Sequence, residues 1–203
     1  MKENRQQATD NHQHLGEEAI KGIFTESQAL LEGHFRLTSG KHSRQYVQCA
    51  QVLQYPWHTE TLMSALKAKL TGTYDLVVGP AMGGVIVAYE IGRQLGVPAL
   101  FTEREEGKMK LRRGFTIQPG QRVLVVEDVI TTGGSVQEAI ECVREAGGIV
   151  EEAAVLVDRS GGNHVLQVPV TALLQLIIET FDPETCPLCV DSEPVKPGSR
   201  QLP

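Results

Sequence analysis

The chain has 203 residues, 41% of them hydrophobic, and a formal net charge of −6. That length suits one α/β domain with small additions, or at most two small domains, and the apolar content excludes disorder of the whole chain. The acidic balance argues against long polyanions, so no nucleic-acid partner is expected, although a local basic cluster can still serve a small anion.

Residues 1–14 read as a flexible tail. From Leu15 to Leu31 the pattern is helical, with Ile20, Ile23 and Phe24 at three-to-four spacing. Thr25 opens Thr-Glu-Ser-Gln, a capping-box pattern that predicts a second helix starting there. The segment 33–53 alternates through Tyr46 and Val47, which predicts a short strand with turns at Gly33 and Gly40. Residues 57–70 read as an amphipathic helix, with Trp57, Leu62 and Leu66 as core packing.

The rhythm then becomes strand, turn, helix. Apolar runs at 76–78, 98–101, 123–126 and 153–157 predict strands, and 85–95 and 136–146 predict helices stopped by Gly96 and by Gly147-Gly148. Unbroken apolar strands alternating with helices indicate a parallel sheet covered on both faces. Residues 103–114 are highly charged and lack a stable period. Residues 165–178 suggest an edge strand and a helix. From Pro183 no regular structure is expected.

The N-terminal segment MKENRQQATDNHQHL has no apolar signal core, and no apolar run reaches membrane-spanning length. The expectation is a cytoplasmic protein without a membrane partner, its four cysteines (Cys49, Cys142, Cys186 and Cys189) mostly reduced. Cys186-Pro-Leu-Cys189 reads as a tight turn without a ligand, because a structural zinc site needs four ligands and only Cys49, Cys142 and scattered histidines remain. His34 and His42 receive no role.

The strongest signal is VLVVEDVITTGGS at 123–135. A buried strand, two carboxylates, then small hydroxyl and glycine residues lead into a helix. In an open parallel sheet ligands bind beyond the carboxyl ends of the strands. Successive N–H groups of residues 131–135 and the positive end of the next helix suit one phosphate, with Thr131, Thr132 and Ser135 adding hydroxyl donors. Glu127 and Asp128 would repel phosphate, so ribose hydroxyls or a Mg²⁺ are their natural partners. A phosphate site beside a diol site describes a ribose 5-phosphate. The loop fits neither the P-loop nor the G-x-G-x-x-G pattern.

EDVITTGGS closely resembles the phosphoribosyl pyrophosphate (PRPP) signature of type I phosphoribosyltransferases. GHFRLTSGKHS at 33–43, GPAMGG at 79–84, TEREEGKMKLRRGF at 102–115 and VLVDRSGG at 155–162 resemble orotate phosphoribosyltransferases, so the similarity runs over most of residues 15–182. The resemblance implies a type I phosphoribosyltransferase fold, with a central, mostly parallel sheet flanked by helices. A small N-terminal hood would come mainly from 15–55, the core from about 56–182, and a tail from 183–203. It implies orotate and PRPP as substrates and orotidine 5′-monophosphate and pyrophosphate as products.

Position by position, the resemblance implies PRPP binding by Arg104, Lys108, Glu127, Asp128, Val129, Ile130, Thr131, Thr132, Gly133, Gly134 and Ser135. Lys108, Glu127 and Asp128 would be catalytic. Thr131, Arg159, Tyr46 and Val47 would meet orotate, with the Arg159 fork on the carboxylate that uracil and purines lack. Mg²⁺ is expected mainly through PRPP and water. The charged segment, with Lys110, Arg112 and Arg113, matches a flexible loop that closes over PRPP from the neighbouring subunit, so a homodimer with shared sites is implied. The chain departs from better-known bacterial relatives, which carry a lysine at Gly83, a lysine near Thr38 and a histidine near Lys110. Lys41, Lys108 or Lys110 are the available substitutes. The rival readings are a phosphoribosyltransferase for a purine or other base, and a non-catalytic PRPP-sensing regulator.

Overall fold

A computed structural model describes residues 15–37 and 39–196. The expected tail at 1–14, the residue Thr38 and the last residues of the chain lie outside the described residues.

Helix α1 (Glu17–Glu26) buries Ile20 and Phe24. The predicted second helix at Thr25 does not form. Thr25 Oγ1 donates to Lys21 O (3.0 Å) instead of capping a new turn. Ser27 Oγ donates back to Ile23 O (2.7 Å), and Gln28 leaves the helix at φ 57°. The chain then enters β1 (Leu30–Arg36), which pairs antiparallel with β2 (His42–Val47). A late strand, β9 (Thr180–Phe181), adds to β2, so the hood is a three-stranded sheet closed by residues from the far end of the chain.

Short helix α2 (Cys49–Leu53) leads into α3 (Pro56–Lys67), where proline occupies the first turn and needs no N–H. Leu62 and Leu66 are fully buried, but Trp57 is 62% exposed and is not core. It sits on the first turn beside Tyr55 (ring centroids 5.4 Å), outside the stripe that faces the sheet.

The core sheet has six strands, ordered β5-β4-β3-β6-β7-β8. These are β3 (Leu76–Pro80), β4 (Ala99–Glu105), β5 (Lys108–Leu111), β6 (Val123–Ile130), β7 (Ala153–Asp158) and β8 (Val170–Gln175). All pairings are parallel except β4 with β5. The aperiodic charged segment therefore forms an antiparallel hairpin, and residues 165–178 supply a strand without the expected helix. From Pro183, where no regular structure is expected, the chain makes 3₁₀ turns at Pro183–Thr185 and Pro187–Val190.

Alternation along β6 divides the core. Leu124 and Val126 face α1, α3 and α4 (Gly83–Leu95), where they meet Phe24, Leu66 and Ile91. Val123 and Val125 face α5 (Gly134–Glu145), packing with Val136, Ile140 and Val143. Each buried aliphatic side chain contributes roughly 1.5–3 kcal/mol relative to exposure, which explains why both faces of this strand are apolar.

Candidate active site

Strands β3 and β6 are neighbours in register, Leu76 with Val123 and Val78 with Val125. From β3 the chain crosses through α4 to β4 on one side. From β6 it crosses through α5 to β7 on the other. The sheet reverses its winding between these two strands, which opens a crevice at their carboxyl ends. Both sequence motifs of interest lie there. GPAMGG turns from β3 into α4, with a cis peptide between Ala81 and Met82, and residues 131–135 turn from β6 into α5.

A cavity of about 270 Å³ occupies the crevice, lined by Glu127, Glu138 and the continuous run from Val129 to Val136. Ile130 is buried in the core, so its contribution to the cavity is backbone. The turn is anchored on both sides: Thr132 O accepts the N–H of Val165 (2.9 Å), and Gly133 O accepts that of Gln137 in the first turn of α5 (2.9 Å). The first N–H groups of α5 have no intrahelical acceptor, and no side-chain hydrogen bond from its N-cap residue, Gly133, closes the helix, so among the described residues these donors face the cavity unclaimed. Gly133 is required twice over. Its φ is 81°, and a Cβ there would lie 3.0 Å from Leu166 Cγ.

The acid pair does not follow the strand, as the sequence suggests, but lies within it, because β6 runs on to Ile130. Glu127 is buried and accepts the N–H of Asp128 (3.0 Å); Asp128 Oδ1 accepts that of Val129 (2.8 Å). Burial, reinforced by the Asp128 carboxylate, pushes the Glu127 carboxyl well above the ordinary carboxylate range. Burial raises Asp128 as well. A ribose diol or a cation at this edge is what would stabilise the charged forms. The β3 loop closes tightly on the pair. A Cβ at Gly83 would collide with the Asp128 carboxylate, and one at Gly84 would lie 3.1 Å from Glu127 Oε1. A side chain at the first of these positions, where the family resemblance implies a lysine, has no room with Asp128 in this rotamer.

Arg159 follows β7, and its N–H donates to Ile130 O (2.9 Å), which brings it beside the start of the phosphate turn. Its side chain is only partly exposed, and its Nε is buried without a hydrogen-bond partner among the described residues. Burial lowers its pKa from the usual guanidinium value, with Tyr46 and Cys49 opposing. Tyr46 is held above its ordinary pKa by burial, against the pull of Arg159. Tyr46 and Arg159 are thus electrostatic neighbours at the hood–core junction. Val47 is buried in the core, which leaves only its backbone to meet a ligand.

The hairpin residues stand apart from this cluster. Arg104 donates to Gly107 O (2.7 Å) and pairs with Glu138 (2.8 Å), which reaches the cavity rim. Lys110 and Arg112 pair with Glu105 (2.7 and 3.1 Å), and Arg113 pairs with Glu103 (2.8 Å). Lys108 is exposed, lines no part of the cavity and makes no ion pair among the described residues. Lys41, a possible substitute for a missing lysine, pairs with Asp182 (3.5 Å) in the hood. Glu138 was not anticipated as a site residue. Its spacing of one helical turn from Ser135 is the signal that points to it.

A nucleotide-type phosphate turn at the switch point of a mostly parallel sheet, with an acid pair beneath it, defines a phosphoribosyltransferase. Residues 56–186 match the phosphoribosyl transferase domain family. The chain is 57% identical over 190 residues to the orotate phosphoribosyltransferase of Desulforamulus reducens, covering 93% of this chain and all of that protein. Among solved structures, orotate phosphoribosyltransferase from Aeropyrum pernix superposes with a TM-score of 0.65 at 29% identity, over 76% of this chain and 92% of that one. The Mycobacterium tuberculosis H37Rv enzyme, solved with inorganic phosphate, gives 0.61 at 27% identity, over 79% and 97%. The chain belongs to the orotate phosphoribosyltransferase family. No helix among the described residues is long and apolar enough to cross a membrane.

Proposed function

We propose that the protein transfers the phosphoribosyl group of PRPP to orotate, giving orotidine 5′-monophosphate and pyrophosphate for pyrimidine (UMP) biosynthesis. The observation that carries the choice of base is Arg159, a partly buried guanidinium with a free Nε beside the phosphate turn. A planar carboxylate satisfies that fork, and a purine offers none.

The turn from Thr131 to Ser135 holds the 5-phosphate, and Glu127 and Asp128 hold the ribose hydroxyls. The bond from the anomeric carbon to the pyrophosphate oxygen breaks, and its electron pair leaves with pyrophosphate. A ring nitrogen of orotate forms the new bond from the opposite face, with inversion. Orotate arrives as an anion, so no strong general base is needed. The acid pair becomes more favourable as positive charge builds on the ribose ring, which is transition-state stabilisation rather than tighter ground-state binding. Lys108 and Arg104 meet the leaving pyrophosphate, and the hairpin that carries them excludes water. Mg²⁺, arriving chiefly on PRPP and water, supplies further neutralisation of that charge. Glu127, which lines the cavity, and the adjacent Asp128 are the carboxylates that would face such an ion.

A cytoplasmic homodimer completes the reading. Met82, the N-cap residue of α4, and Ile86 and Tyr89 within it are exposed at helical spacing, a stripe suited to a second copy and continuous with the β3 loop of the site. A partner seated there would let one subunit's hairpin serve the other's cavity.

The test is a panel of bases incubated with PRPP and Mg²⁺. Orotate alone is expected to be consumed. Consumption of adenine or hypoxanthine in its place would move the assignment to another base.

A further inference from the structure

Outside the active site, His34 of β1, His42 of β2 and the two cysteines of the C-x-x-C turn converge. Each offers one ligand atom, and the four atoms lie within 4.8 Å of one another. Three of the residues, His34, His42 and Cys186, are buried, and Cys189 closes the outer side. Sequence alone reads the C-x-x-C pair as a turn without ligands because residues 144 positions or more apart in the chain become neighbours only when the tail folds back on the hood.

The spacings match one tetrahedral ion. With Zn–N of about 2.05 Å and Zn–S of about 2.3 Å, a tetrahedron has edges of roughly 3.3 Å for N···N and roughly 3.55 Å for N···S. Here His34 Nε2 to His42 Nδ1 is 3.0 Å, and Cys186 Sγ to His34 Nε2 is 3.6 Å. Cys189 Sγ lies 3.8 Å from His34 Nε2 and 3.3 Å from His42 Nδ1. The outer contacts are in place too. His34 Nδ1 donates to Ser192 O (2.9 Å), which assigns the ring proton to Nδ1 and leaves the Nε2 lone pair directed into the cluster.

We propose that His34, His42, Cys186 and Cys189 form a structural Zn²⁺ site that fastens the C-terminal segment to the hood. Two thiolates and two neutral imidazoles are a closed ligand set without an open position, so the ion is structural and takes no part in transfer. Binding expels the two thiol protons and leaves a neutral complex, which suits a largely buried position. The tail is already aligned for this. Val195 exchanges backbone hydrogen bonds with the hood, its N–H donating to His34 O and its O accepting from Arg36 (both 2.8 Å), and β9 extends β2 a few residues before the first cysteine. The hood also carries Tyr46, so the ion braces the element that forms one wall of the orotate site.

The full chain, purified without chelator, is expected to hold about one Zn²⁺ per chain by elemental analysis. Co²⁺ exchanged into it is expected to give a thiolate charge-transfer band and strong visible bands of tetrahedral geometry. Cys186→Ser with Cys189→Ser should abolish both signals, and Cys142→Ser, on α5, should leave them unchanged. An unmodified protein without bound zinc and without a Co²⁺ spectrum would overturn the proposal, as would a Cys186–Cys189 disulfide in the freshly purified chain. The double variant is not needed for either of those outcomes, so a folding failure in it does not protect the idea.

Discussion

The phosphate turn between β6 and α5 and the hairpin β4–β5 both carry the groups an anionic substrate requires, but they are held in opposite ways. The turn is built on the buried centre of the sheet. Its carbonyls are tied to Val165 and Gln137, and its N–H donors face the cavity. The hairpin stands at the sheet edge, where Lys110 and Arg112 pair with Glu105, Arg113 with Glu103 and Arg104 with Glu138, while Lys108 makes no ion pair among the described residues. A preformed cradle can bind ground-state PRPP. In the proposed reaction Arg104 exchanges its carboxylate partner for the departing pyrophosphate, and the unpaired Lys108 meets that charge directly. The difference fits the division of labour we propose, in which the turn before α5 binds and the hairpin accelerates.

The largest effect expected from breaking this comparison comes at the rigid side. Gly133→Val forces a β-branched residue to a φ of 81° and against Leu166, which shifts the donors off the phosphate. Activity should fall by roughly 10²-fold or more, with PRPP binding by calorimetry lost in parallel. Next in size is Arg159→Ala. Removing the fork should cost about 2–3 kcal/mol, a roughly 10²-fold loss in kcat/KM for orotate, while the Kd for PRPP stays within about twofold. Equal losses for both substrates would show that Arg159 serves the phosphate side instead.

Lys108→Ala sharpens the contrast. It should lower kcat by roughly tenfold to a hundredfold and leave the Kd for PRPP nearly unchanged, since the proposed mechanism uses its charge only in the transition state. The acid pair gives a pH signature. Glu127 has a folded pKa raised to about 9 from an ordinary 4.5, so the folded chain binds more protons than the unfolded one across that window. Stability of the ligand-free protein should therefore fall as pH rises between those values, and Glu127→Gln should flatten the slope in chemical denaturation curves. The smallest effect belongs to Arg113→Ala. Its pair with Glu103 is exposed, and no change in melting midpoint is expected.

The core was legible in the sequence because its strands are apolar on both faces, and the phosphate turn because strand, acids, hydroxyls and glycines follow one another along the chain. Local order suffices for such features. What was not legible depends on partners distant in sequence. Gln28 reads as the end of a capping box, yet β2 captures the chain as a strand immediately afterwards. Trp57 resembles core by residue type, but its place on the first turn of α3 turns it outward. The cysteines of the tail look solitary until β9 carries them to His34 and His42. Placing Arg104, Lys108, Tyr46 and Val47 on ligands came from family resemblance, and their geometry depends on a hood and a hairpin that sequence periodicity does not resolve.

The central claim is that the cradle and Arg159 together make this a transferase for orotate. The most direct test follows the near-ultraviolet absorbance of orotate with the purified chain, PRPP and Mg²⁺, omitting each component in turn. The account predicts loss of absorbance only when all are present, with pyrophosphate released in equal amount. A folded protein that binds PRPP but leaves orotate unchanged under those conditions would contradict it.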